Sequence, residues 1–279
     1  MTNSETSRTR GDLAWFICLT IGITWLSYLP IIVAVRRDET VDHNSPVALL
    51  GLLAVLAPAL TACALAAVRG GRRELRTLLG MAGRWRFPLR WYLVVLVVPF
   101  AVLLTGVAVD SLVSGVPPEA WILAPSAQTL ATFWIAPLGE DLGWRGYALS
   151  RALTRWSPVA TSLILGPIWA LWHLPMALVP GTAQADQSFL LFTVQVTGAT
   201  MLFTRVFIAT RGSVLAMILM HAAANLSFNV VPVFAHEGGN ATRTALISVL
   251  YLVAGVVALL TLPRRAERVQ PEKASVPAD

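Results

Sequence analysis

Three short clusters in this chain carry groups that can move protons or stabilise charge. Glu140 and Asp141 are adjacent carboxylates, and Arg145 follows four residues after the second. Trp169 precedes His173 by four residues, and His221 precedes Asn225 by four, with Ala222, Ala223 and Ala224 between them. Four residues is slightly more than one helical turn, so on a helix each such pair shares a face, while Glu140 points about 100° away from Asp141. Asp141 and Arg145 can then neutralise one another, leaving Glu140 to meet groups on other helices. A carboxylate, two imidazoles and a carboxamide that converge could activate a water and stabilise a developing oxyanion, which is what hydrolysis requires. Each cluster also has a plainer reading. An Asp–Arg pair glues helices, a lone buried histidine is commonly a satisfied hydrogen-bonding partner, and a His–Asn pair can serve helix packing.

The elements that must position these residues are membrane helices. The chain has 279 residues, of which 56% are hydrophobic and only 13% charged, about half the charge of an ordinary soluble domain. Apolar runs long enough to cross a hydrocarbon core of about 30 Å recur along it, without the polar alternation of a membrane barrel. The fold class expected is therefore all-α: a polytopic membrane protein of about eight transmembrane helices around a central intramembrane active-site cavity. The spans are placed near 13–35, 47–68, 91–113, 123–148, 158–179, 187–209, 213–234 and 244–262. The fourth is interrupted by Pro137, Glu140, Asp141 and Arg145. The domain reading is an N-terminal tail over 1–12, an eight-helix membrane domain over 13–263 with its core at 123–234, and a polar tail over 264–279. Residues 13–35 are too long for a signal-peptide core and read as a retained first span.

The net charge of +6 comes from twenty arginines and one lysine, Lys273, gathered in short segments between apolar runs, which reports topology and gives no nucleic-acid signature. Arg69, Arg72, Arg73, Arg76, Arg84, Arg86 and Arg90 face one acid, Glu74, so this segment is expected in the cytoplasm as a short helix or loop against the headgroups. An even span count then puts both termini in the cytoplasm and leaves only Arg36, Arg37 and Arg243 outside. Cys18 and Cys63 fall inside apolar runs and imply no disulfide. The arginine bias suits a GC-rich bacterium, hence a bacterial plasma membrane. The partners expected are the lipid bilayer and a membrane-associated protein or peptide substrate. Oligomeric state is not readable from the chain.

The depths of the clusters agree. At about 1.5 Å per residue, His221 lies roughly 15 Å from Arg211, Glu140 about 16–22 Å from Arg151 and Arg155, and His173 about 24 Å from Ser157. Insertion of an Asp or Arg at a helix centre costs about 2.5–3.5 kcal/mol, so polar residues at a shared depth point to one wet cavity.

In these residues the chain resembles the CAAX-processing and bacteriocin-processing (CPBP, or ABI) family of intramembrane proteases. The family's acidic pair and arginine are matched by Glu140, Asp141 and Arg145, its aromatic-to-histidine motif by Trp169 and His173, and its histidine-to-asparagine motif by His221 and Asn225. The family usually has glutamate where this chain has Asp141, and commonly phenylalanine where it has Trp169. The resemblance covers roughly 130–230 and implies an endopeptidase. Glu140 would act as general base on a water also held by His173, and His221 and Asn225 would donate to the oxyanion, with Asp141, Arg145 and Trp169 in support. The chain has neither a nucleophile elbow nor a His-Glu-x-x-His helix. Glu140, His173 and His221 could hold zinc with one open position if a metal is bound, although a metal-free, glutamate-dependent reaction is favoured. Two other classes stay open: a non-catalytic membrane scaffold or bacteriocin-immunity relative, and a proton-coupled transporter, for which Asp110 is the remaining candidate acid.

Overall fold

The computed structural model of the protein describes residues 3–37 and 46–262. The polar tail assigned to 264–279 lies outside the described residues. Helix α1 spans Asn3–Arg36, α2 Pro46–Ala82 and α3 Leu89–Ser114. After a single 3-10 turn at Pro118–Ala120 come α4, Ala127–Thr132, and α5, Ile135–Asp141. A stretch of π-helix, Leu142–Leu149, leads into α6, Ser150–Ala152. Four further helices complete the fold: α7 Pro158–Trp172, α8 Phe189–Ala209, α9 Val214–Val230 and α10 Ala241–Leu260. No strand occurs among the described residues.

The chain is an all-α polytopic membrane protein. Six of its helical segments are long and apolar enough to cross a bilayer: Gly11–Arg36, Leu49–Ala82, Leu89–Ser114, Pro158–Leu178, Phe189–Ala209 and Ala241–Leu260. Val214–Val230 is apolar but shorter. The expected count of eight is thus approximate, and the continuous span expected over 123–148 is not formed. Pro137 lacks the amide hydrogen that would close the helical bond to the carbonyl of Phe133, and α4 ends there. That carbonyl instead accepts from Asn225 Nδ2 on α9 at 3.3 Å. Past Asp141 the π-turns widen the helix at the acidic cluster, as insertions at functional positions commonly do.

Helix starts follow their capping residues. Ser157 accepts from Ala160 N with Pro158 in the first turn, Ser213 accepts from Ala216 N, and Asn240 accepts from Arg243 N at 2.8 Å. α8 is the central helix, packed between α7 and α10, and 67% of its apolar window is buried against 28% for α1. Gly139 and Gly143 press the acidic segment onto α2. A side chain at Gly139 would meet Val55 O at 2.7 Å, and one at Gly143 would overlap the backbone of Pro58. Of the helix or loop expected for the arginine-rich segment, the first part is helix: α2 bends at Gly71 (φ 64°) and continues to Ala82, burying Leu78 and Met81 and pairing Glu74 with Arg151.

Candidate active site

The three clusters meet around one indole. Glu140, 3% exposed at the end of α5, accepts from Trp169 Nε1 through Oε2 at 2.9 Å. The Trp169 ring stands edge-on to His173 at 5.4 Å and to His221 at 5.5 Å between centroids. Trp169 therefore bridges the carboxylate on one element to imidazoles on two others. A cleft of about 250 Å³ opens on the imidazole side, and Trp169, His173, His221 and Asn225 all line it. Glu140 is not among its lining residues and sits behind the indole.

Each imidazole has one nitrogen engaged. His173 caps the end of α7, late in the span Pro158–Leu178 as expected, and its Nδ1 lies 2.8 Å from the Trp169 carbonyl. A carbonyl only accepts, so Nδ1 carries the hydrogen and Nε2 of the neutral ring is an acceptor. His221 Nδ1 lies 3.2 Å from Asp141 Oδ2. Asp141 Oδ1 in turn lies 3.0 Å from Arg145 Nη1. Asp141 thus holds Arg145, as its spacing suggested, and also orients the His221 ring from 80 residues away, a role that spacing alone did not indicate. The Arg145 guanidinium is clamped between aromatic faces, 3.7 Å from the Trp169 centroid and 4.1 Å from that of Phe203. Replacing the family's usual glutamate by Asp141 leaves both contacts in place.

The first span supplies a support that sequence reasoning missed. Pro58 in α2 cannot donate to Ala54 O, and Thr24 Oγ1 on α1 donates to that carbonyl at 3.0 Å. Thr24 Oγ1 accepts from Trp172 Nε1 at 2.7 Å, and the Trp172 ring stands edge-on to His173 at 4.5 Å. A proline inside an apolar run and a threonine in another were the available signals.

A zinc ion would need its donors to converge at about 2.0–2.2 Å from one point. Among the described residues no three His, Cys, Asp or Glu side chains form such a group, and Glu140 Oε2 faces an indole hydrogen.

Asp110 and Arg243 form a second buried pair. Arg243 Nε and Nη2 donate to Asp110 Oδ2 at 3.0 and 2.9 Å, Asn240 Nδ2 donates to both Asp110 oxygens, and Arg243 Nη1 donates to Pro232 O at 2.5 Å. This cross-link joins α3, α10 and the α9–α10 loop, whose Phe234 lines the cleft. The acid that a transporter would require is held by an arginine.

The fold and site define a class: a polytopic helical membrane protein with a histidine-lined cleft and a buried acidic pair behind it. Residues 122–227 match the Rce1-like family, type II CAAX prenyl endopeptidases. Over 131 residues, 45% of the chain, it is 29% identical to the CAAX prenyl protease 2 of Methanococcus maripaludis. That alignment covers 46% of the archaeal protein, so the match spans about half the length of this curated relative. All three motifs fall inside residues 122–227, the part of the chain that is similar to this family.

Proposed function

We propose that the protein is an intramembrane endopeptidase that hydrolyses a peptide bond of a membrane-associated protein or peptide. The observation that carries this reading is the arrangement around Trp169, where two imidazoles and a carboxamide face one cleft and a buried carboxylate lies one indole behind them. The family match over the same residues supports it.

In the mechanism proposed, a water in the cleft is held by His173, whose Nε2 accepts one of its hydrogens. Glu140 takes the proton as the water oxygen attacks the scissile carbonyl, and returns it to the departing amine. For that step the indole hydrogen must release Oε2, so rotation of Trp169 is part of the cycle. The oxyanion is stabilised by the second N–H of the Asn225 carboxamide, whose first is bonded to Phe133 O. His221 donates from Nε2. Its Nδ1 is held by Asp141, which fixes the direction in which Nε2 points.

Every step is assigned to side chains and water without a metal. The test is cleavage of a membrane-inserted reporter peptide by the purified chain, read by mass spectrometry, with metal analysis of the same sample. Cleavage that survives chelation and fails in His173→Ala is expected. Stoichiometric zinc lost together with activity would overturn the metal-free assignment, and full activity in His173→Ala would remove His173 from the reaction.

A further inference from the structure

The cleft is also lined by a polar side chain that none of the three motifs includes. Gln195 lies in the first half of α8, the most buried span, and is itself only 9% exposed. The threonines of α8 each satisfy their hydroxyl on their own helix: Thr193 on Phe189 O, Thr197 on Thr193 O, Thr200 on Val196 O and Thr204 on Thr200 O, at 2.7–2.8 Å. Arg205 reaches Thr261. Among the described residues Gln195 alone of the polar side chains of α8 has no hydrogen-bond partner, and it lines the cleft. Phe192, one turn earlier on the same helix, touches the His173 ring at 5.2 Å between centroids, and Gln195 and His173 line the same cleft.

A carboxamide kept unpartnered inside a membrane helix is costly, and such residues are retained for a ligand. Its chemistry limits what that ligand is. A carboxamide accepts and donates at once, which matches the C=O and N–H of an extended peptide. Gln184, Gln187 and Asn229 in the same lining are carboxamides too, and no Asp, Glu, Lys or Arg lines the cleft among the described residues.

We propose that Gln195 binds the backbone of an uncharged peptide segment and so sets its register against His173. This rests on the reading of the cleft as a protease site. Gln195 is a binding residue and takes no part in proton transfer.

The probe is a fluorescein-labelled decapeptide of alanine, leucine, valine and phenylalanine, titrated by anisotropy against the full chain in detergent. A series of probes carries a single N-methyl group at successive peptide bonds. Wild type is expected to bind saturably and to lose about five- to tenfold in affinity at one N-methyl position, the size of one neutral hydrogen bond. Gln195→Leu is expected to lose the same factor with the unmethylated probe and nothing further at that position, because both changes remove one bond. Its melting temperature is expected to hold or rise, since leucine suits the helix better.

Absence of saturable binding, equal affinity of Gln195→Leu and wild type, losses that simply add, or a fall in melting temperature accompanying weaker binding would each overturn the proposal. Glu140→Gln separates the two readings. It is expected to bind with wild-type affinity without cleaving; cleavage by that variant would count against the proposed hydrolysis and leave peptide docking standing.

Discussion

Asp141 Oδ2 and His221 Nδ1 lie 3.2 Å apart, joining the acidic motif to the histidine–asparagine motif across the core of the protein. The same carboxylate faces Arg145 Nη1 through its other oxygen at 3.0 Å. Asp141 is fully buried, so its charge is balanced by these two neighbours and not by water.

Removing that carboxylate strands a buried guanidinium. Asp141→Ala is expected to destabilise the protein by about 3–5 kcal/mol, whereas Asp141→Glu keeps the charge and costs below about 1.5 kcal/mol. Thermal unfolding in detergent checks both values. Asp141→Asn, which preserves shape but not charge, is expected to lower kcat by about 10²-fold with little change in KM, because His221 loses the carboxylate that orients its ring.

Thr24→Val tests the support from the first span. It leaves Trp172 Nε1 and Ala54 O without the hydroxyl that joins them, at a cost of about 1–3 kcal/mol. Because Trp172 packs against His173, reporter cleavage is expected to fall by about tenfold, a loss on the scale of small misplacements in an active site. Thr24→Ser is expected to restore both stability and rate. Full activity in Thr24→Val would free His173 from this chain of contacts.

The Asp110–Arg243 pair makes a different prediction. Arg243→Met alone leaves a buried carboxylate and is expected to cost about 3–5 kcal/mol, while the double change Asp110→Leu with Arg243→Met is expected to recover most of that loss. Pro232 O in the α9–α10 loop loses its tie to Arg243 in both proteins, so affinity for peptide in the cleft is expected to remain weakened even where melting temperature recovers. A double variant with wild-type affinity would show that the cross-link serves stability alone.

Much of this architecture is legible in the residues themselves. Hydropathy alone locates α1, α2, α3, α8 and α10, because lipid requires continuous apolar helices that satisfy their own backbone. The i,i+4 spacing of Asp141 and Arg145 foretells their pairing, and the shared depth of Glu140, His173 and His221 foretells their approach. What spacing does not reveal is direction. Hydropathy reads 123–148 as one span because Pro137 and three glycines are diluted among apolar residues, yet the helix breaks there and its freed carbonyl goes to Asn225. The second contact of Asp141 and the line from Pro58 through Thr24 to Trp172 depend on which helices become neighbours, and local periodicity carries no such information. Trp169 resembles a packing residue by its spacing, but its indole hydrogen makes it the bridge between the Glu140 carboxylate and the imidazoles.

The central claim is that the Glu140 carboxylate activates water for peptide hydrolysis. Glu140→Gln in proteoliposomes, assayed by single-turnover cleavage of a membrane-inserted reporter, tests it most directly, since the amide preserves size and can still hydrogen-bond while being unable to act as a base. The account predicts a fall of about 10²–10⁴-fold in the cleavage step with peptide binding retained, the range expected for loss of a general base. Cleavage at the wild-type rate would contradict it.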